Sequence, residues 1–482
     1  MPPRRVRAPA ENHAVLADPA FDAVPALAAD NRRRLDRTGV VIDGLPLRAF
    51  RAMARREALA AASGAPTRAD PDAPLILAGH QPELSHPGVW EKNFALSGLA
   101  RKLGGTALNL VVDNDTLKTP ALRFPVVAPR GPKARLEAIA FDRLDGELPY
   151  EDRGVVDAAL FDSFATRAAS ITREWGFEPL LPRVWAEVVR HNPNAPVGER
   201  FTEVRRCFEG KWGCANAELP VSRLSATEAF TRFARHILGD LPRFRAVYNA
   251  AIGEYRERNG VRSKNHPAPE LAEGEAPFWV RTGDGRRERA TPASDRRRLR
   301  PRALTLTLFA RVCLGDYFIH GIGGGKYDEV TDAIIRDYFG VEPPAYQVLS
   351  ATLHLPLPAS GTGDDVAAAE RHVRDLHWNP QRHLSAEQRA RPEVRAIVAE
   401  KAALTAHEPS PRDHAARREW FRGLQRVTER LRPFVWKQLP PAEADLARAR
   451  IEADTDAILR RRDYSWVLYP EETLRPFLQR FL

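Results

Sequence analysis

Gly79-His80-Gln81-Pro82-Glu83-Leu84-Ser85-His86-Pro87-Gly88 places two imidazoles, an amide and a carboxylate in one short loop. The loop follows an apolar run and precedes a helical pattern. A helix N-terminus after a strand attracts anions through its free amides and its dipole. Imidazole N–H groups on the same loop can donate to phosphate oxygens as charge develops. His80 and His86 are therefore candidate catalytic groups, with Gln81, Glu83 and Gly88 as candidate binding positions. The competing reading is a turn whose histidines merely cap the helix, but a turn does not need so many polar side chains.

Asp113-Asn114-Asp115-Thr116 with Lys118 forms a second group. Asp113, Asn114 and Asp115 can orient a ribose, an amine or Mg²⁺ at a strand end. A solvated Asx turn uses the same residue types. The third group is His320-Gly321-Ile322-Gly323-Gly324-Gly325-Lys326. Consecutive glycines let backbone N–H groups converge on an oxyanion. Here His320, Gly321, Gly323, Gly324 and Gly325 are candidate binding positions and Lys326 a third catalytic candidate. The spacing is neither a Walker A loop nor a dinucleotide fingerprint, and a tight strand–helix connection is the alternative. Arg300, in the run Arg296-Arg297-Arg298-Leu299-Arg300, suits a phosphate or carboxylate. Arg262 to Pro267 and the set Asn216, Glu218 and Arg223 are less specific donor groups. Cys207 and Cys214 are too far apart for a zinc knuckle, and no metal ligand set is assigned.

The elements that must position these groups follow from pattern. Leu75 to Ala78 reads as a buried strand, Trp90 to Leu103 as a helix and Ala107 to Val112 as the next strand. This βαβ unit puts its polar groups at the carboxyl ends of its strands, where open parallel sheets bind ligands. Tyr317 to His320 and Tyr346 to Leu355 are further strands, with a helix over Asp328 to Phe339. Ser225 and Glu228 predict a capping box, and Cys214 to Pro220 is expected to lead into that helix. The fold class expected is α/β: a Rossmann-like parallel sheet with inserted helical segments and a C-terminal helical or coiled-coil arm. Residues 1–70 read as an N-terminal helical extension with Pro/Asp punctuation at Pro66 to Pro74. Residues 71–360 read as the core, with a helical insertion over about 130–300. Residues 361–482 read as the arm, in which Pro433 and Pro440-Pro441 are breaks and Tyr464 to Leu482 docks back on a core.

With 482 residues, 43% of them hydrophobic and 28% charged, the chain reads as a soluble globular protein of more than one unit. No apolar stretch is long enough for a bilayer. Three cysteines do not make a disulfide scaffold. The basic start, Met1 to Arg7, has no apolar signal core after it, so a cytoplasmic location is expected. The formal charge of +10 comes from arginines scattered along helices, without aromatic platforms for stacking bases, so nucleic acid is not the expected partner.

The Gly79-to-Asp115 stretch resembles the bacillithiol-biosynthesis cysteine-adding enzyme family. Gly79-His80-Gln81 is similar to that family's glycine–glutamine-rich turn, and Asp113-Asn114-Asp115 to its acidic turn after the next strand. The Leu299-to-Lys326 region, with its glycine cluster, holds a comparable place late in the core. His86-Pro87-Gly88 departs from the family and is closer to the His-x-Gly-His theme of adenylyl-transferring enzymes, with Val89 at the last position. The resemblance implies a nucleotidyltransferase-type Rossmann core, inserted connecting segments and a helical coiled-coil region.

The expected function is an ATP- or nucleotide-dependent ligase or nucleotidyltransferase-like enzyme acting on a small anionic or amino-acid/thiol substrate. ATP and Mg²⁺ are cofactor candidates that the sequence does not fix. Two alternatives remain open. One is a non-catalytic assembly or ligand-binding protein, with homodimerisation through the arm. The other is nucleic-acid binding through the arginines. The expectation depends on the His80/His86 loop and the Gly321–Gly325 segment walling one crevice.

Overall fold

Short apolar runs spread along the chain assemble into one six-stranded sheet. Its strands are β1 (Val15–Asp18), β2 (Leu75–His80), β3 (Thr106–Val111), β4 (Ala217–Pro220), β5 (Tyr317–His320) and β6 (Tyr346–Ala351). The computed structural model describes residues 6–64, 70, 72–127, 133–144, 146–358 and 363–482. The spatial order is β1-β6-β5-β2-β3-β4. Neighbours from β6 through β4 pair in parallel, and β1 adds an antiparallel edge. The chain moves outward from β2 through β3 to β4, then crosses to the other side of β2 for β5 and β6. The direction of winding therefore reverses between β2 and β5, and a crevice opens at the carboxyl ends of such a pair.

The helices that flank this sheet are α1 (Val24–Arg37), α2 (Leu47–Ala61), α3 (Pro87–Lys102), α4 (Val197–Lys211) and α5 (Ile322–Phe339). Leu75 and Leu77 of β2 join a core with Phe50, Ala54, Phe233 and Phe309, whereas Ile76 and Ala78 join one with Ala95, Leu96 and Leu99 of α3. Both faces of the sheet are covered, so its strands read as continuous apolar runs rather than as an alternation. Helix α3 is buried from Trp90 through Ser97. Gly98 permits this enclosure, because a Cβ there would lie 2.2 Å from the Phe481 carbonyl oxygen.

The chain divides into two compact units: Met1–Phe124, Ala138–Pro356 and Arg462–Leu482 in one, and Pro125–Glu137 and Leu357–Arg461 in the other. In the second unit, α6 (Gly363–Trp378) packs against α9 (Leu439–Leu459), and α7 (Pro392–Ala406) against α8 (His414–Val435). Leu376, Val394, Ile397, Val427 and Leu431 give that unit its own core. Among the described residues, no helix is long and apolar enough to cross a membrane.

Several boundaries differ from expectation. Residues 1–70 are not only a helical extension, because they supply β1, α1 and α2 to the first unit. The segment at about 130–300 is not only helical. It contributes β4 and a three-stranded antiparallel sheet from Phe278–Arg281, Arg287–Arg289 and Leu299–Pro301. Cys214 to Pro220 ends in that strand because Ala217 and Leu219 find a core to enter. Thr227, not Ser225, caps helix Glu228–Gly239 by accepting the Phe230 N–H; the Ser225 hydroxyl donates to the Val221 carbonyl. The 361–482 arm is shorter than expected, since residues 462–482 belong to the first unit. Pro433 lies inside α8, and Pro440 falls in the first turn of α9, where a missing N–H has no partner to lose. Met1 to Arg5, most of Pro66 to Pro74, Pro129, Pro132 and Gly361 lie outside the described residues.

Candidate functional site

Strand β2 ends at His80, and β5, its neighbour, ends at His320. Ile319 is in register with Ala78, so His320 lies beside Gly79 and His80 one residue further along the same edge. The loop after β2 turns into α3 at His86, the N-cap, with Pro87 in the first turn and no side-chain cap on the amides. Gly88 serves close packing: a Cβ there would lie 2.1 Å from the Ala351 carbonyl oxygen. Strand β5 turns into α5 at Gly321, also without a side-chain cap. Two helices, α3 and α5, therefore start without a side-chain cap at the carboxyl edge of the sheet.

Gly321 to Gly325 form neither the expected anion-binding loop nor a tight turn of unusual φ. None of these glycines has a positive φ, and Gly323, Gly324 and Gly325 make the first turn of α5. They are small for packing. A Cβ on Gly324 would lie 2.9 Å from His320 Nδ1, and one on Gly325 would lie 2.4 Å from Val348 Cγ2. Lys326 is exposed on α5 and has no ion pair among the described residues.

The charge at this junction comes from Lys92, on the second turn of α3. It is 4% exposed, and its ammonium has no hydrogen bond or ion pair among the described residues. Burial pulls its pKa from 10.5 down to about 8. A Cβ on Gly321 would be 3.7 Å from Lys92 Nζ, which places the ammonium at the start of α5. Its charge also acts on His80, His86 and His320.

These imidazoles are neutral. Burial, with Lys92 next, pushes His80 down to about 3. Its Nδ1 lies 3.0 Å from the Gln81 carbonyl oxygen, so Nδ1 carries the proton and Nε2 is left as an acceptor. Burial, then Arg462, pushes His86 down to about 4, and His86 Nδ1 is buried without a partner. His320 is lowered by burial against the opposing pull of Asp328, whose Oδ2 lies 2.8 Å from Nε2. Arg462 Nη2 donates to Ser350 Oγ at 2.7 Å, and its Nη1 is buried and unpartnered. Glu91 is driven well above the usual carboxylate range by burial, so it offsets little of this positive charge.

A buried ion cluster fixes α3 beneath the site. Arg205 of α4 pairs with Glu209 at 2.7 Å and Glu218 at 2.6 Å. Glu209 accepts from Trp90 Nε1 at 2.6 Å and Asn93 Nδ2 at 2.7 Å, and Glu218 from Asn109 Nδ2 at 3.0 Å. Helix α3 is thus tied to α4, β3 and β4 around a cavity of about 20 Å³ lined by His80, Gln81 and Arg205.

The acidic turn makes different connections. Asp113 accepts from the Ser222 amide at 2.9 Å and from its hydroxyl. Burial raises Asp113 to about 6. It lines a cavity of about 170 Å³ with Glu151, Thr202 and Ser222. Asn114 Nδ2 donates to the Pro301 carbonyl at 2.9 Å, and Asp115 pairs with Arg287 at 3.1 Å and accepts from Gln81 Nε2 at 3.0 Å. Arg300 is not free for a ligand, because it grips Glu151 through three hydrogen bonds at 2.9, 3.1 and 2.7 Å. Glu83 accepts from the Tyr150 hydroxyl at 3.0 Å, and burial raises its pKa.

The residues anticipated from sequence therefore divide. His80, His86, His320 and Gly321 come together around Lys92. Asn114, Asp115 and Arg300 tie the small antiparallel sheet to the carboxyl edge, Asp113 is held by Ser222, and Gln81 bridges to Asp115. Lys326 is bonded to neither among the described residues. Lys92, Arg205 and Arg462 were missed. No local signal singled out Lys92, because Glu91, Arg101 and Lys102 of the same helix are charged as well. Among the described residues, no three His, Cys, Asp or Glu side chains gather as a metal site. The chain matches no known protein-family model, and comparison with curated proteins finds no match either.

Proposed function

We propose that this protein is a Rossmann-like nucleotide-dependent ligase or nucleotidyltransferase-like enzyme. The strand order, which reverses between β2 and β5, supports the Rossmann-like reading. One observation carries the function: Lys92, a buried ammonium with no hydrogen bond or ion pair among the described residues, reaches the uncapped start of α5. Burying a charge is costly unless it is paired, and an anionic ligand supplies that pairing.

In this reading, phosphate oxygens bind between the first turns of α3 and α5. Lys92 and the helix amides offset negative charge that grows during transfer, in a site already organised for it. His86 can donate to the same oxygens. The acceptor enters the cavity lined by Asp113, whose raised pKa suits it to take a proton near neutral pH. Resemblance to the cysteine-adding family puts an amino acid or thiol first among acceptors. Asp113 and Asp115 bond to different partners, so they do not fit a protein-held Mg²⁺, and no step is assigned to one.

Calorimetric titration with pyrophosphate and ATP tests the reading. Binding is expected in the native chain and in Lys326→Ala, and is lost in Lys92→Met. Failure of the native chain to bind either ligand at millimolar concentration would refute it.

A further inference from the structure

From a second cavity beside this site, we infer that the protein binds a nucleobase bearing an exocyclic amine, in a pocket between the acidic turn and the small antiparallel sheet. The pocket of about 290 Å³ is walled by Tyr248, Trp279, Pro267, Pro269, Leu304 and Asn114. An apolar cavity of about 150 Å³ holds a benzene ring, so roughly twice that volume suits a bicyclic one.

Three arginines also line this pocket, yet it is not built for phosphate. Arg287 is paired with Asp115 at 3.1 Å, and Arg289 and Arg302 share Glu275 at 3.2 and 2.5 Å. With their charge largely spent, the guanidinium groups offer flat surfaces. Arg287 and Arg302 lie over the Trp279 ring, with Cζ at 4.8 and 4.7 Å from its centroid. Stacking on aromatic and guanidinium planes is how proteins hold bases without reading sequence.

The choice among bases rests on Asn114, which is 5% exposed. Its Nδ2 donates to the Pro301 carbonyl, which fixes the orientation of the amide. The other end, Oδ1, is buried and has no partner. That oxygen requires a donor, and an exocyclic amine supplies one. Gln81 lines both this pocket and the small cavity at His80, and the Lys92 charge acts on His80, so a base here and the proposed phosphates suit one nucleotide. The inference rests on the nucleotide reading only for this linkage.

Titration calorimetry on the full chain with adenosine, purine riboside (the same ring without the amine) and pyrophosphate separates the two ideas. Adenosine should bind at least about tenfold more tightly than purine riboside, because a buried acceptor left unpaired is costly. Ala303 is exposed and lines the pocket, so Ala303→Trp should fill it and abolish adenosine binding while pyrophosphate still binds. Ala268→Trp does the same from another wall if the first variant misfolds. Equal affinity for the two nucleosides, no adenosine binding, or adenosine binding unchanged in the filled variants overturns the inference, even if pyrophosphate binds at Lys92. Adenosine binding that the filled variants abolish, with no response to pyrophosphate, upholds the pocket and removes the phosphate reading instead.

Discussion

Replacing Lys92 by Met should make the protein more stable and unable to bind an anion. Burial lowers the Lys92 pKa from 10.5 to about 8. At about 1.4 kcal/mol per pKa unit, the buried ammonium costs the folded state roughly 3 kcal/mol at neutral pH. The sign follows from proton counting. Below the folded pKa of about 8, both states hold the proton and the full cost is present. As pH rises from about 8 to 10.5, the folded state sheds its proton first and the cost disappears. Methionine keeps most of the chain length and carries no charge. Denaturant unfolding at pH 7 should therefore favour Lys92→Met by up to about 3 kcal/mol, and the two curves should converge near pH 10.5. Pyrophosphate should raise the Tm of the native chain by mass action and leave that of the variant unmoved. A variant less stable than the native chain at every pH would mean that Lys92 already has a counter-charge. That result would sink the reasoning.

Other consequences can be measured separately. His80 and His86, held at about 3 and 4, take up protons in the unfolded chain near 6.5 but not in the folded one. Stability should therefore fall as pH drops from about 6.5 toward 4, and His80→Asn with His86→Asn should flatten that limb of the unfolding curve. Gly325→Ala should cost about 1–3 kcal/mol in chemical denaturation, since its Cβ would be driven against Val348. Gly323→Ala has open space at the same turn and should instead gain up to about 1 kcal/mol. Arg205→Met should lower stability by about 3–5 kcal/mol, because Glu209 and Glu218 would be left buried without their cation. An unchanged denaturation midpoint for Arg205→Met would show that the cluster does not anchor α3.

Some of this protein was legible residue by residue. Leu75 to Ala78, Tyr317 to His320 and Tyr346 onward announce strands because buried parallel strands are short apolar runs, and α3 announces itself by helical spacing. The His80/His86 loop declared itself because few turns carry so many polar groups. Strand β4 did not, because Glu218 interrupts its apolar pattern and is tolerated only through Arg205 and Asn109. The glycine run looked like a loop, yet it is helical, since its packing against His320 and Val348 is set by strands β5 and β6. The site divides the same way. Sequence alone determined that the His80/His86 loop and the acidic turn are rich in polar groups at strand ends, because side-chain chemistry and backbone propensity are local properties. Only the tertiary structure decided that Lys92 carries the charge and that Asp113 and Arg300 are taken by Ser222 and Glu151. Whether a buried charge is paired depends on neighbours that are distant along the chain.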